Sequence, residues 1–238
     1  MLFRSVGTEF SFWRGRLSGE VNVYDKKVTD LLFWISIPES AGARGYYGNI
    51  GSYSNYGVEL SLNGSIIRTR DLQWDAQFNI ASNSTRISKL PDAKIGDYGG
   101  FNEGSYWYKV GGPMYNYFRA SYAGVNENGE ALYYTDSSVD VSMRSTQPGT
   151  KKDGTTTNIN EATYYEYGSI LPKAFGGFGT SVSYKGFDAS VTFDYQLGGK
   201  VYDTRYQTLM GVWTSSNMSG GNISADYVKA WSASNRDS

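Results

Sequence analysis

The sequence of 238 residues contains no cysteine, no histidine and only five prolines. Without cysteine the chain forms no disulfide and offers no thiolate to a metal ion. Without histidine it lacks the general base of Ser-His-Asp and Cys-His catalysis and the most common zinc ligand. The groups that remain for chemistry are carboxylates, lysines, tyrosines and hydroxyls. These groups would allow a carboxylate enzyme such as a glycosidase, but the sequence fixes no pair of acids at a glycosidase separation. We predict that the protein is not an enzyme and that it holds no cofactor and no metal.

Long apolar runs and an excess of one charge are also missing. The longest apolar run covers residues 31–35, whereas a membrane helix needs roughly eighteen apolar residues. Lys and Arg number 22 and Asp and Glu number 23, so the chain lacks the basic excess of a nucleic-acid-binding protein. The first residues do not form an apolar segment with a cleavage site. A secreted or outer-membrane protein would therefore have to be a fragment or a processed chain.

The sequence is rich in aromatic residues, glycine and alternating segments. It contains 21 Tyr, 11 Phe, 6 Trp and 29 Gly, which is typical of β-structure with long loops. From Tyr56 to Ile66 every second residue is apolar or glycine, and the alternation resumes from Leu72 to Ile80. Strands in soluble domains average about five or six residues, whereas a tilted strand needs about nine to eleven to cross a bilayer.

The alternation predicts six long strands, separated in turn by short and long connections. The strands cover about 6–13, 17–32, 53–67, 71–83, 174–184 and 187–197, and a large loop covers 85–172. Strict alternation places every short turn at one end of the sheet, as in an outer-membrane barrel. The predicted fold is all-β: a segment of an antiparallel transmembrane β-barrel with long extracellular loops. Since such a barrel needs about eight or more strands, six would form only part of it.

The pattern leaves open what covers the apolar face of these strands. In a membrane wall this face meets lipid, and Trp13, Trp34 and Trp74 near the strand ends suit the interfaces. Polar residues such as Glu59 and Asp188 would then face the lumen. In the alternative, a soluble or surface β-sandwich that binds carbohydrate, a second sheet covers the apolar face. A requirement for detergent distinguishes the two.

Five segments, in this order, resemble a known family. They are residues 16–32, with Tyr24-Asp25-Lys26-Lys27; 49–60, with Asn55-Tyr56-Gly57-Val58-Glu59-Leu60; 122–133; 171–188; and 198–203. Together they are similar to the C-terminal barrel portion of SusC/RagA-type TonB-dependent outer-membrane transporters, the nutrient importers of Bacteroidetes. One departure is Asn126, which stands where the family usually has Asp.

The resemblance implies a fragment of a barrel of about 22 strands, with no plug domain within these residues. It implies import of an oligosaccharide or a peptide through the outer membrane of a Gram-negative cell. The implied partners are a SusD-like surface lipoprotein, TonB acting through the plug region, outer-membrane lipid and the glycan or peptide substrate. Nucleic acid is not an expected partner.

Seven aromatic residues in the long connections are candidates for binding substrate or a partner: Tyr46, Tyr47, Tyr106, Trp107, Tyr108, Tyr115 and Tyr117. Aromatic rings stack on sugars or hold peptides, and the tyrosine hydroxyl adds a hydrogen bond. The competing interpretation, which we favour on general grounds, is that these rings pack inside the loops themselves, because long loops need an internal apolar cluster. No residue is predicted to be catalytic or to bind metal.

Overall fold

The computed structural model describes residues 1–36, 40, 42, 44–92, 95–96, 98–210 and 222–232. Within these residues the chain is mostly antiparallel β-sheet. The strands are β1 Leu2–Phe12, β2 Leu17–Ser36, β3 Gly45–Arg68, β4 Leu72–Lys89, β5 Gly100–Glu103, β6 Tyr106–Lys109, β7 Asn116–Ala120, β8 Tyr122–Val125, β9 Ala131–Thr135, β10 Gly154–Thr156, β11 Tyr164–Ser169, β12 Ala174–Tyr184 and β13 Phe187–Leu197. The described helices are α1 (Thr204–Leu209) and short 3-10 turns at Val141–Met143, Ile159–Glu161 and Ala225–Lys229. None of them is long and apolar enough to cross a membrane.

The chain divides into two compact units. The first comprises Met1–Asn116 and Gly168–Lys200, and the second comprises Tyr117–Tyr167 and Val201–Ser238. The chain passes from one unit to the other three times, within β7, within β11 and between Lys200 and Val201.

The first unit is built on a six-stranded antiparallel sheet in the order β1-β2-β3-β4-β12-β13. Tight turns join β1 to β2, β3 to β4 and β12 to β13. Between β12 and β13 the two turn residues, Lys185 and Gly186, both have positive φ angles, of 47° and 88°. Two positive φ angles are the requirement of the type I′ hairpin turn, whose twist matches that of the flanking strands. The turn therefore fixes Tyr184 opposite Phe187.

The register separates apolar from polar side chains across all six strands. On one side, here called the apolar face, Val23 lies between Val6 and Val58 in one lateral row. This face carries Val6, Phe10, Val21, Val23, Val58, Leu60, Leu62, Phe78, Ile80, Phe178, Val191 and Phe193. The opposite side, the polar face, carries Glu9, Glu20, Asn22, Glu59, Asn63, Asp75, Gln77, Asp188 and Asp194. One period-2 pattern thus specifies both faces.

The strands differ from their predicted bounds, mainly at the end with the long connections. Strand β1 begins at Leu2 rather than near residue 6, and it ends before Trp13, whose φ of 51° places it in the turn. Strand β2 continues to Ser36, β3 begins at Gly45, and β4 continues to Lys89. The stretch 85–172, predicted as a large loop that carries small hairpins of its own, contains β5 to β11 and the end of β4.

Breaks in register explain why the alternation of residues underestimates the length of the strands. The pairing of β2 with β3 shifts between Val28 and Leu31, and the pairing of β3 with β4 shifts between Ser52 and Tyr53. A β-bulge interrupts the alternation of side chains while backbone pairing continues beyond it. The strands therefore run on after their period-2 signal has ended.

A small core at the end of β4 orders the start of the long connection between β4 and β12. Ile87, Leu90 and Trp107 are buried there. The backbone of Ile87 accepts a hydrogen bond from Gly111 N and donates one to Gly112 O, at 2.8 and 3.0 Å. These bonds hold the chain that follows the β5–β6 hairpin against β4.

The second unit contains the three-stranded sheet β10-β9-β8. In this sheet β8 and β9 form a hairpin, and its turn covers residues 126–129, where Gly129 N donates to Asn126 O at 2.9 Å. The Oδ1 atom of Asn126 accepts hydrogen bonds from the backbone N–H groups of Asn128 and Glu130, and its Nδ2 donates to the Glu130 carboxylate at 2.7 Å. An aspartate at this position would have no donor for Glu130 and would repel it. This contact gives the departure at Asn126 a physical reason.

Candidate binding site

The β5–β6 hairpin determines which aromatic residues of the connection between β4 and β12 share a surface. Its strands pair Phe101 with Tyr108 and Glu103 with Tyr106. The turn uses Gly104 at a φ of 60°, a conformation that glycine adopts without strain. Because side chains alternate along β6, Tyr106 and Tyr108 point to one side and Trp107 to the other.

Four rings gather on the side of Tyr106 and Tyr108. The ring centroids of Tyr106 and Tyr115 lie 5.7 Å apart in an edge-to-face arrangement, and those of Phe101 and Tyr108 lie 5.6 Å apart. Tyr106 and Tyr108 are separated by 6.5 Å. Aromatic pairs prefer such tilted geometries to a face-to-face sandwich. We call Phe101, Tyr106, Tyr108 and Tyr115 the tyrosine cluster.

Tyr115 joins the cluster through an unusual backbone conformation. Its φ is 53°, in the left-handed region that a residue with a large side chain rarely occupies. Hydrogen bonds hold the chain on both sides: Ile170 N donates to Tyr115 O at 3.2 Å, and Ser169 Oγ donates to Met114 O at 2.6 Å. Such strain persists where the surroundings over-determine the backbone, a situation that is common at binding sites.

The cluster combines ring surface with neutral hydroxyl groups. Burial raises the pKa of Tyr108 to about 12, and Tyr115, Glu103 and Tyr106 add to the shift. The Tyr108 hydroxyl therefore stays protonated at neutral pH and can both donate and accept a hydrogen bond. Tyr115 remains exposed. An exposed ring beside a neutral hydroxyl suits a sugar or a peptide group.

The other predicted residues lie elsewhere. Trp107 is only 1% exposed and packs over the backbone of Gly100, so its ring belongs to the core of this connection. Tyr46 and Tyr47 are exposed on β3, where Tyr47 makes an edge contact with Trp34 at 5.1 Å. Tyr117 lies in the second unit, with its ring 6.5 Å from that of Tyr202.

Three neighbours of these residues were not predicted from the sequence. Phe101 belongs to the tyrosine cluster, and the pairing of a hairpin centred on Gly104 would have placed it opposite Tyr108. In the second unit the guanidinium of Arg119 lies 5.4 Å from the centroid of Tyr202, within the range of a cation–π contact. Tyr202 stands in the segment 198–203 that carries the family resemblance, but nothing in the sequence links it to Tyr117.

The carboxylates of the second unit stabilise loops and do not form a reaction centre. Asp136 is fully buried and accepts hydrogen bonds from the backbone N–H groups of Ser138, Thr150 and Lys151, at 2.9, 2.7 and 2.8 Å. Burial opposes its charged form, but the hydrogen bonds from Ser138, Lys151 and Thr150 outweigh burial and lower the pKa of this carboxyl. In the described part of the chain, no group of three or more acidic residues has the geometry of a metal site.

Comparison with known proteins identifies related sequences. No protein-family model matches the chain. The TonB-dependent receptor SusC of Bacteroides thetaiotaomicron is 30% identical over 237 residues, which cover 94% of this chain and 22% of that receptor. The TonB-dependent receptor P3 of Formosa agariphila is 27% identical over 238 residues, which cover 97% of this chain and 23% of that receptor.

Solved structures agree with the sequence comparison. The RagAB peptide transporter, and the RagAB peptide importer in its closed-closed state, match 99% of this chain at 25% identity, with TM-scores of 0.71 and 0.74. The chain is related to the SusC/RagA-type TonB-dependent transporters. It spans under a quarter of the length of these two receptors and 25% of the matched chains of the RagAB structures. The SusC/RagA relatives are receptors and transporters, which confirms the prediction that the protein is not an enzyme.

Proposed function

We propose that this chain forms part of the wall of a TonB-dependent transporter in the outer membrane, one that imports an oligosaccharide or a peptide. The observation that carries the proposal is the exposure of the apolar face. Val6, Val58 and Phe193 are 77%, 46% and 51% exposed on it. Contiguous apolar surface of this kind marks contact with a membrane or a partner. Its alternation with a polar face over strands of eleven or more residues is the pattern of a membrane barrel.

Aromatic residues at the short-turn end of the sheet support a membrane boundary there. Phe12, Trp13 and Phe187 are strongly exposed close to the turns. Trp74 lies in the same region, and its Nε1 donates to Thr180 Oγ1 at 2.7 Å. Amphipathic and aromatic side chains concentrate at the level of the lipid headgroups in membrane barrels. The short turns would lie on the periplasmic side and the long connections outside the cell.

The β-sandwich alternative needs a second sheet over the apolar face. A sandwich buries the inner faces of both sheets, about 10 Å apart, and leaves only the outer faces in water. The exposed valines and phenylalanines of the apolar face favour lipid as the covering medium. Pairing of β1 and β13 with further strands would satisfy the backbone groups at the two edges, which a bilayer cannot do.

The proposed partners of this protein are inferred from its relatives, SusC and RagAB. The RagAB structures are named for a peptide transporter. Of the two receptors compared above, SusC has the higher sequence identity to this chain. We expect a SusD-like lipoprotein to act with the long connections, and TonB to act through a plug elsewhere in the protein. The tyrosine cluster, together with Tyr46, Tyr47 and Tyr117, would contact the substrate or the lipoprotein.

The test is energy-dependent uptake by cells that make the protein. Disruption of the gene should abolish uptake of either a labelled oligosaccharide mixture or a labelled peptide mixture, and a protonophore should have the same effect. Replacing both Tyr106 and Tyr115 by Ala should lower uptake at least several-fold, whereas Tyr98→Ala, another exposed tyrosine, should not. Recovery of the folded, monomeric protein from the soluble fraction without detergent would overturn the proposal.

A further inference from the structure

At the end of the sheet with the long connections, the residues on the apolar face change from apolar to charged and polar within two rows. One lateral row across β1 to β4 is Val6, Val23, Val58 and Ser82. The next row is Arg4, Asp25, Tyr56 and Ser84, and the one after it is Leu2, Lys27, Ser54 and Arg86. Since alternate residues share a face, these rows continue the apolar face rather than belonging to the polar one.

Three cations and one acid stand in the two upper rows. Arg4, Lys27 and Arg86 are all exposed, as is Asp25. Within the described part of the chain no ion pair neutralises the three cations. Long cationic side chains keep their charged groups solvated or paired with an anion. A positive surface therefore borders the apolar face on this side of the sheet.

The spacing of Lys27 and Arg86 suits a single anion. Both are paired with Ser54, one from β2 and the other from β4. Neighbouring strands lie about 4.8 Å apart, so the two Cα atoms are about 10 Å apart with a serine between them. Two flexible cationic side chains can close on one phosphate over that distance. Arg4 lies in the adjacent row, on β1.

We propose that Arg4, Lys27 and Arg86 bind the phosphate-bearing headgroup of a lipid in the outer leaflet. The inference rests on the proposed membrane function, because it takes the apolar face to be covered by acyl chains. A ligand with an anionic head and an apolar tail matches the positive rows and the valine row directly beside them. Exposed Tyr56, in the positive row next to the valine row, offers the amphipathic ring that is typical of this level.

The residue next to Lys27, Lys26, provides a matched control. Lys26 precedes Lys27 on β2 but is paired with Asn55, and it therefore belongs to the polar face. Lys26→Gln and Lys27→Gln make the same change in charge at the same height of the sheet. Only the second removes a cation from the proposed lipid site.

The experiment measures lipid binding by the intact protein in a non-ionic detergent, using native mass spectrometry. Phosphatidic acid, phosphatidylcholine and inorganic phosphate are the three probes. We expect preferential binding of phosphatidic acid. Lys27→Gln and Arg86→Gln should each weaken it about fivefold, which corresponds to about 1 kcal/mol for each basic residue near a lipid surface. Lys26→Gln should leave it unchanged.

Three results would overturn the lipid site while leaving the membrane proposal intact. They are equal binding of the two lipids, equal losses in the Lys26→Gln and Lys27→Gln variants, and displacement of phosphatidic acid by inorganic phosphate at similar concentrations. Failure of the membrane proposal has a different signature, because the wild-type protein would then stay folded and monomeric without detergent. Circular dichroism of each variant separates lost binding from lost folding.

Discussion

The six-stranded sheet leaves apolar side chains exposed, whereas the second unit buries them. On the sheet, Val23 and Phe193 are half exposed. In the second unit Asp136 and Thr163 are fully buried, and Phe118 packs beside Tyr164. A water-soluble domain normally hides its apolar residues and buries a carboxylate only where hydrogen bonds satisfy it. The second unit follows this rule and the sheet does not, as the proposed lipid covering of the sheet requires.

Polar contacts contribute much of the order in the second unit. Lys152 Nζ lies 4.9 Å from the ring centroid of Tyr134 and 5.1 Å from that of Tyr165, and it donates to Ser121 Oγ. The Tyr165 hydroxyl donates to Lys151 O at 2.7 Å, and burial, followed by the charge of Asp136, raises its pKa to about 12. A unit of this kind should depend strongly on its central carboxylate.

The largest effect is expected from Asp136→Ala. The substitution removes the acceptor of several buried hydrogen bonds, so it should cost about 4 kcal/mol. Hydrogen exchange at the amides of Thr150 and Lys151 should then be several hundred-fold faster, while exchange in β12 and β13 stays unchanged. Asp140→Ala, which removes an exposed cap on Ser142, should cost no more than about 1 kcal/mol. Equal effects of the two substitutions would contradict the central role of Asp136.

The same carboxylate predicts a dependence on pH. The fold lowers the pKa of Asp136. The ionised carboxylate therefore contributes fully to stability above the pKa of an aspartate in the unfolded chain, about 3.9, and this contribution is lost as the pH falls towards the pKa in the folded state. Exchange at Thr150, corrected for its intrinsic rate, should therefore be constant from pH 7 to 5 and should accelerate below about 4. Constant protection down to pH 2 would contradict the assignment.

A second contrast concerns the two faces of β3. Leu60→Arg places a charge in the middle of the apolar face and should cost about 2–4 kcal/mol in a bilayer. Ser61→Arg places the same charge on the polar face, opposite Glu20, and should cost less than about 1 kcal/mol. Refolding into lipid vesicles at a series of urea concentrations measures both. Similar costs would mean that neither face meets lipid.

The smallest effect expected concerns glycines in the left-handed region. Gly129 has a φ of 82°, and an added Cβ would lie 2.4 Å from a carbon of the Trp231 ring, so Gly129→Ala should cost about 2 kcal/mol. Gly99 has a φ of 73° with open space around it, and Gly99→Ala should cost only about 1 kcal/mol of backbone strain. Hydrogen exchange of the β8–β9 hairpin reports the first change. Equal protection in wild type and Gly129→Ala would show that the ring contact is dispensable.

The sheet was more predictable from the sequence than the connections were. Alternation at residues such as Val58 and Leu60 is a local signal, and it directly assigns each side chain to a face. The bulges near Val28 and Ser52 break this signal, so the ends of β2, β3 and β4 could not be placed. Helix α1 was not predicted either: its six residues are too short for a helical period to appear, and the cap of Asp203 on Tyr206 N is the one local indication.

The candidate site was less predictable because it depends on contacts between distant residues. Tyr106 and Tyr108 share a side through alternation, which the sequence contains. The approach of Tyr115 depends on a positive φ held by residues 169 and 170, which no sequence window could reveal. The hydrogen bonds of Asp136 likewise come from residues up to fifteen positions away.

The most direct test of a lipid-covered sheet is the accessibility of spin labels on adjacent residues. The chain has no native cysteine, so single cysteines at Val191 and Thr192 place a label on the apolar and the polar face of β13. In reconstituted membranes, the label at 191 should be relaxed more by oxygen than by a water-soluble nickel chelate. The label at 192 should be relaxed relatively more by the chelate. Equal and high accessibility of both labels to the chelate would contradict the account.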